Sequence, residues 1–362
     1  MEVKTNLNSP KETLGAVRET LSKGTFENPA HKGIGYFFRD LCCFALAIFL
    51  LWNVDVWYLL PFLWFFAGIT IAALFVIGHD CAHEALFQNR HLRYWIGQIA
   101  MLPSLHAYNQ WAYGHNRIHH GHTIKRGGDF VWHPTTAEEY SKFGIFKKLA
   151  HKFFWSAWGG GFYYMIEIWL KGMVVFTAPM KEARRDKWIM LSFAFVSSGA
   201  VFYFGGFTDG VWSAGAGLWM FVKVCLVPFV AWNYFMGITV YVHHIHSEIP
   251  WKTKDEWTPY YGQMRGTINY HIPAVLNFFF HNIFIHMPHH VHMKIPFYNL
   301  KRALGEIKVV YGDNVLEKET IFGDYFRSTS RCKVIDSETG KWMTYKEAES
   351  SVSEEDMEVL PV

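Results

Sequence analysis

The sequence predicts an all-α integral membrane protein: four transmembrane helices in two hairpins, with a cytosolic helical cap that holds a histidine-rich site. Three observations carry that prediction. Apolar residues make up 51% of the 362-residue chain and gather into four blocks, the layout of a polytopic membrane protein rather than a globular one. Of the 34 Lys and Arg, six precede Leu41, fourteen lie from His79 to Lys187 and thirteen follow His243, while the two short turns between paired blocks contain none. Three histidine clusters stand in the long polar segments: His79-Asp-Cys-Ala-His83, His115-Asn-Arg-Ile-His119-His120 and His286-Met-Pro-His289-His290.

Taken in order, residues 1–34 form an N-terminal segment without the continuous apolar core of a cleavable signal peptide. Ser9-Pro10-Lys11-Glu12 reads as a helix start, with Ser as cap and Pro at the first helical position, and Gly24 as the stop. Leu14, Val17 and Leu21 share one face of that helix, which packs on the membrane surface or on the protein. The first apolar block gives a transmembrane helix at about 37–54 and the second at about 57–77, joined by Val54-Asp55-Val56. The third and fourth blocks give helices at about 188–207 and 213–241, joined by Thr208-Asp209-Gly210. Lys223 in the fourth block lies near enough to one end to snorkel outward.

Between the hairpins, Arg93–Leu105 and Gly161–Phe176 are too short and too broken by polar residues to cross, and read as re-entrant or interfacial helices. The membrane domain therefore covers residues 35–310. Residues 311–362, ending in an acidic run, read as a polar, solvated tail. The Lys/Arg count places every long segment, both termini and all three histidine clusters on the cytoplasmic side.

Other classes are excluded by composition. A net charge of +3 with no basic patch interleaved with aromatics argues against nucleic acid. Five cysteines without a CxxC pair give neither a disulfide framework nor a zinc ribbon.

The chemistry rests on spacing. His79 and His83, four apart on a helix, project from one face, and the helix from Trp57 to His79 rises roughly 33 Å, so that the pair emerges at the interface. His115 and His119 repeat the spacing and His120 adds a neighbouring direction, while His286, His289 and His290 offer spacings of three and four. A single HxxxH is weak evidence. Eight histidines on one face overfill a single zinc, which takes four ligands, and imply two metals; imidazole suits iron, and the general base of an HExxH zinc hydrolase is absent, since Asp80 follows His79.

These residues resemble the three histidine boxes of the membrane fatty acid desaturase family, in particular its acyl-lipid desaturases of the Δ12/ω-6 type. The likeness includes Gly78 before the first box, Asp129-Phe-Val-Trp-His-Pro134 after the second and Tyr241-Val-His-His-Ile-His246 before the third, and it spans about Tyr36 to Leu304. One departure is the second box, with three residues before its His pair where many relatives of that type have two. The resemblance implies two non-haem iron ions (Fe2+), O2 as co-substrate and a fatty acyl lipid whose chain loses two hydrogens. It implies the ligands His79, His83, His115, His119, His120, His286, His289 and His290. It adds one more ligand at the end of the fourth transmembrane helix, where His244 is the choice over His243 and His246. Those two are left to support the ligands from behind, and Asp80 and Asp129 are candidates to accept the second ring N–H of ligand imidazoles. His31, His91, His106, His133, His151 and His271 are isolated and read as surface or interface residues; His122, His281 and His292 flank the boxes outside the family spacing.

The resemblance leaves open another oxidation on the same scaffold, either decarboxylation of a fatty acid to a terminal alkene or carotenoid hydroxylation or ketolation. A zinc hydrolase or a non-enzymatic zinc protein is a third class. The chain has no dinucleotide fingerprint, no iron–sulfur cysteine spacing and no His-Pro-Gly-Gly haem motif. Electrons are therefore expected from a docked ferredoxin, or from cytochrome b5. The expected setting is a bacterial inner membrane.

Overall fold

A computed structural model describes the chain over residues 11–358, with side chains through Ser351. The fold is mostly helical, and four helices are long and apolar enough to cross a membrane. The first helix, α1 (Leu14–Glu19), starts with the Thr13 hydroxyl accepting the Ala16 N–H. This corrects the expected boundaries: Ser9 and Pro10 lie outside the described residues, and the helix ends before Gly24, which instead packs under the Arg302 guanidinium. Val17 is fully buried, so α1 packs on the protein.

The membrane helices are α2 (Ala30–Asn53) and α3 (Leu60–Ala82), then α7 (Lys181–Gly205) and α8 (Ala214–His244), which follow the central region. α3 is the central post. It is buried continuously from Ala67 to Cys81, as a helix apolar on every side must be, and it packs on α2, on α8 and on α4 (Arg90–Met101). The α3–α4 crossing depends on glycine: a Cβ on Gly78 would stand 2.5 Å from the Met101 side chain, and one on Gly97 would stand 2.9 Å from the Cys81 Cβ. α4 buries Ile96 and Met101 and exposes Trp95 and Ile99, an amphipathic division suited to an interface.

Next come α5 (Tyr108–Ala112) with its π-helical continuation Tyr113–His119, the amphipathic α6 (Ile145–Phe154), and Gly160–Tyr163, which continues as a π-helix over Tyr164–Val175. α7 (Lys181–Gly205) is hardly buried by the rest of the protein over its apolar stretch. α8 (Ala214–His244) widens into a π-turn at Val222–Leu226, just before Pro228, which has no N–H to continue the α-helical ladder. Lys223 sits in that turn. Its side chain reaches outward to the α2–α3 turn, where its ammonium meets Oδ1 of the exposed Asp55 at 2.6 Å, while the lysine itself is fully buried.

Three short helices follow, α9 (Ala274–Phe280), α10 (Met287–Val291) and α11 (Leu300–Tyr311). The solvated tail is also corrected. α12 (Ile321–Arg331) packs on α8, and Val334–Ile335 pairs antiparallel with Trp342–Met343. Cys332, Val334, Ile335 and Ala348 are buried. Apolar residues at spaced positions fold this segment onto the protein although its average composition is polar.

Candidate metal centre

Four separate pieces of chain deliver the histidines. His79 lies in the last turn of α3 and His83 caps it; His243 and His244 end α8; His286 caps α10, which carries His289 and His290. The second cluster sits on the π-helical turn Tyr113–His119 running into His120. A regular α-helix would turn His115 and His120, five residues apart, away from each other. The wider π-turn brings their Nε2 atoms to 3.2 Å.

The rings converge in three groups whose ligand atoms lie within 4.8 Å of one another: His79, His83, His115 and His289; His119, His244 and His290; and His120, His289 and His290. His286 joins them, its Nε2 at 3.1 Å from His290 Nε2 and 3.3 Å from His244 Nε2. His289 Nε2 is 3.1 Å from His120 Nε2. Close packing of bare ring nitrogens is tolerable only for neutral imidazoles. Burial, reinforced by the neighbouring rings, holds His83, His115, His120, His286, His289 and His290 well below the ordinary histidine pKa. Neutral imidazole is the form that binds metal.

The far side of several rings is anchored. Asp80 Oδ1 faces His79 Nδ1 at 2.9 Å while its other oxygen accepts the Phe297 N–H. Asp129 meets His119 Nδ1 with both oxygens at 3.1 Å and accepts the Ile124 and Val131 N–H groups. The Gly266 carbonyl accepts from His244 Nδ1 at 3.0 Å, and Gln263 Oε1 from His290 Nδ1 at 2.8 Å, with the Gln263 amide donating to the His120 carbonyl. With Nδ1–H engaged outward, Nε2 is left as the inward lone pair at each of these rings. Both ring nitrogens of His83 are buried without a protein partner among the described residues. A buried polar atom in that condition is costly, and a metal ion satisfies it. The donor set therefore fits metal.

An apolar cavity of about 360 Å³ opens against these rings. His79, His115, His119, His243, His244 and His286 line it, together with Ala72, Phe75 and Val76 of α3, Met236 and Val240 of α8, and Phe280. From His79 to Ala72 along α3 the drop is roughly 10 Å at 1.5 Å per residue.

Several readings change on contact with the fold. His243 stacks on His286, with centroids 3.7 Å apart, and lines the cavity. His246 turns away, and its Nδ1 accepts the Glu248 N–H. His106 is no surface residue: it is fully buried at the cavity, held between the Ser104 carbonyl and the Tyr164 hydroxyl, with burial pulling its pKa down to about 4. His151 is buried against Tyr345, and His281 is buried against Asp40 at 2.7 Å. Gln263 and Gly266 were not legible as site residues, because a backbone carbonyl and a single amide carry no spacing signal.

Residues 55–319 match the profile of the family described as Fatty acid desaturase. The sn-1 oleoyl-lipid 12-desaturase of Anabaena variabilis is 29% identical over 320 residues, 86% of each chain. The chloroplastic omega-6 fatty acid desaturase of Arabidopsis thaliana is 31% identical over 304 residues, 83% of this chain and 64% of that one. The sn-1 oleoyl-lipid 12-desaturase of Arthrospira platensis is 30% identical over 258 residues, 71% of this chain and 70% of that one.

Proposed function

From the premise that this chain belongs to the fatty acid desaturase family, we propose that it inserts a double bond at position 12 of an oleoyl chain carried by a membrane lipid. The family membership makes it a membrane oxidoreductase acting on fatty acyl lipids; the position and the carrier are drawn from the names of its relatives.

The observation that carries the reading is the convergence of histidines from four segments at an apolar cavity. We assign nine ligands: His79, His83, His115, His119, His120, His244, His286, His289 and His290. Two irons suit this number, since imidazole is a ligand for iron and one ion cannot accept so many. Two irons held by these imidazoles would supply the O2 chemistry which, with two external electrons, removes two hydrogens from neighbouring methylenes.

The chain's own work is positioning. Asp80, Asp129, Gln263 and the Gly266 carbonyl fix the tautomer and orientation of the rings behind them. The walls of Phe75, Val76, Met236 and Val240 exclude water and hold the acyl chain extended past the histidines. Desolvation of the acyl chain supplies binding, at about 0.8 kcal/mol per buried methylene.

Residues 35–310 form the catalytic domain in this reading. α2 with α3 and α7 with α8 make two membrane hairpins, and the centre and both termini face the cytoplasm, as the Lys/Arg distribution supports. The electrons come from a separate carrier docked on that face, ferredoxin first and cytochrome b5 second.

Expression in a host of simple lipid composition, followed by mass spectrometry of lipids and hydrocarbons, tests the proposal. A new dienoic acyl chain in the glycerolipids, with about two irons per purified chain, is expected. A terminal alkene or a hydroxylated carotenoid would move the protein to another oxidation, and zinc as its sole metal would overturn the reading.

A further inference from the structure

A second groove, of about 670 Å³, adjoins the acyl cavity and shares Phe130, Glu167 and Lys171 with it. It runs between α6 and the π-helix Tyr164–Val175, and Lys147 stands on its α6 side. α6 itself has an unpartnered apolar face: Ile145, Phe146, Leu149 and Phe153 are exposed, Phe146 to 85%, and Trp158 continues the patch at 75%. Lys147, Lys148 and Lys152 interleave with these residues. An amphipathic helix with a lysine-bearing polar side, attached to four membrane helices, fits in the plane of an anionic bilayer surface, with its lysines at phosphate depth.

Lys171 is 59% exposed and pairs with Glu167, itself partly exposed. Water screens such a pair, so the ammonium can exchange the carboxylate for a phosphate oxygen. Lys147 lies over the Phe143 ring, 3.7 Å from its centroid, with its charge at the groove. Lys147 and Lys171 are thus the two cationic side chains of a largely apolar groove that shares Phe130, Glu167 and Lys171 with the acyl cavity, an arrangement suited to a molecule with a phosphate at one end and a hydrocarbon chain at the other.

We propose that this groove binds the glycerophosphate headgroup of the lipid whose acyl chain occupies the cavity, with Lys147 and Lys171 holding the phosphate, so that the substrate is an intact glycerophospholipid taken from the bilayer. The proposal rests on the desaturase reading and adds the headgroup class.

The test presents one acyl pair to the iron-loaded enzyme in mixed micelles in three forms: phosphatidylglycerol, the matching diacylglycerol, and the acyl-CoA thioester. Wild type is compared with Lys147→Gln, Lys171→Gln and the double variant, all at exposed positions. Wild type should favour phosphatidylglycerol, and the double variant should raise KM for it about ten-fold, the scale of a lost charge-assisted hydrogen bond, with kcat nearly kept. Native mass spectrometry gives a readout apart from activity: the double variant should retain less phosphatidylglycerol than wild type, with diacylglycerol retention shifted far less. An unaltered preference and retention in the double variant, or a preference for the thioester, overturns the proposal. If none of the three forms is desaturated, the desaturase reading falls instead, and the retention measurement still decides the groove.

Discussion

Asp129 grips His119 with both carboxylate oxygens, each 3.1 Å from Nδ1, and is itself held by the backbone N–H groups of Ile124 and Val131. The carboxylate is therefore positioned by the loop that follows the second histidine cluster and cannot follow the ring if the ring moves. Asp129→Asn keeps the shape but can present an N–H to the ring. It should lower iron affinity by about 10- to 100-fold, the usual cost of losing a partner behind a ligand, while membrane insertion is unchanged. Iron per chain against free iron measures this, and Gln263→Leu, behind His290, should act in the same direction. Wild-type affinity in both variants would refute the role.

Removing ligands is harsher. His83→Ala, His119→Ala and His289→Ala, one from each cluster, should each abolish turnover and reduce iron content, because the three groups share the site. His91→Ala, at an exposed position of α4, should leave both within two-fold. Near-normal activity in two of the three cluster variants would contradict a joint centre.

Lys223 and Asp55 make a stability prediction. Asp55→Ala leaves the Lys223 ammonium with only the Val54 carbonyl as protein partner, at 3.4 Å, and because Asp55 is 75% exposed and water can take its place, the Tm of the detergent-solubilised protein should fall by only a few degrees. Lys223→Met removes the charge together with its need for a partner and should cost less. Equal losses would show that packing at this position outweighs the ion pair.

Topology follows from the lysines and arginines. A reporter fused at Asp209 should appear on the outer side of the membrane, and reporters at Lys147 and Lys333 on the cytoplasmic side. Lys147 on the outer side would end both the single-centre reading and the headgroup groove.

The electron requirement gives a reconstitution test. Purified enzyme with acyl lipid, O2 and NADPH should be inactive, and should turn over once ferredoxin and its reductase are added, more slowly as salt rises. Sustained turnover with NADPH and no added carrier would refute a docked donor.

What the sequence alone determined is what periodicity and residue type encode. Four long apolar helices were legible because apolar runs long enough to span a bilayer have few other uses, and the family was legible because eight histidines at box spacings are hard to explain by packing. Asp80 and Asp129 were legible as partners because each sits close in sequence to a box. Tertiary structure decided the rest, since the information lies between distant segments. The π-turn that lets His115 and His120 face each other, the burial of His106 beside Tyr164, and the approach of Gln263 and the Gly266 carbonyl to rings on other elements leave no local pattern. Nor does the docking of the C-terminal segment, where a few apolar residues such as Cys332 and Val334 outweigh a polar average. His243 and His246 show the limit most sharply. They are three residues apart in one histidine-rich stretch, and only the end of α8 decides that one stacks on His286 while the other turns to Glu248.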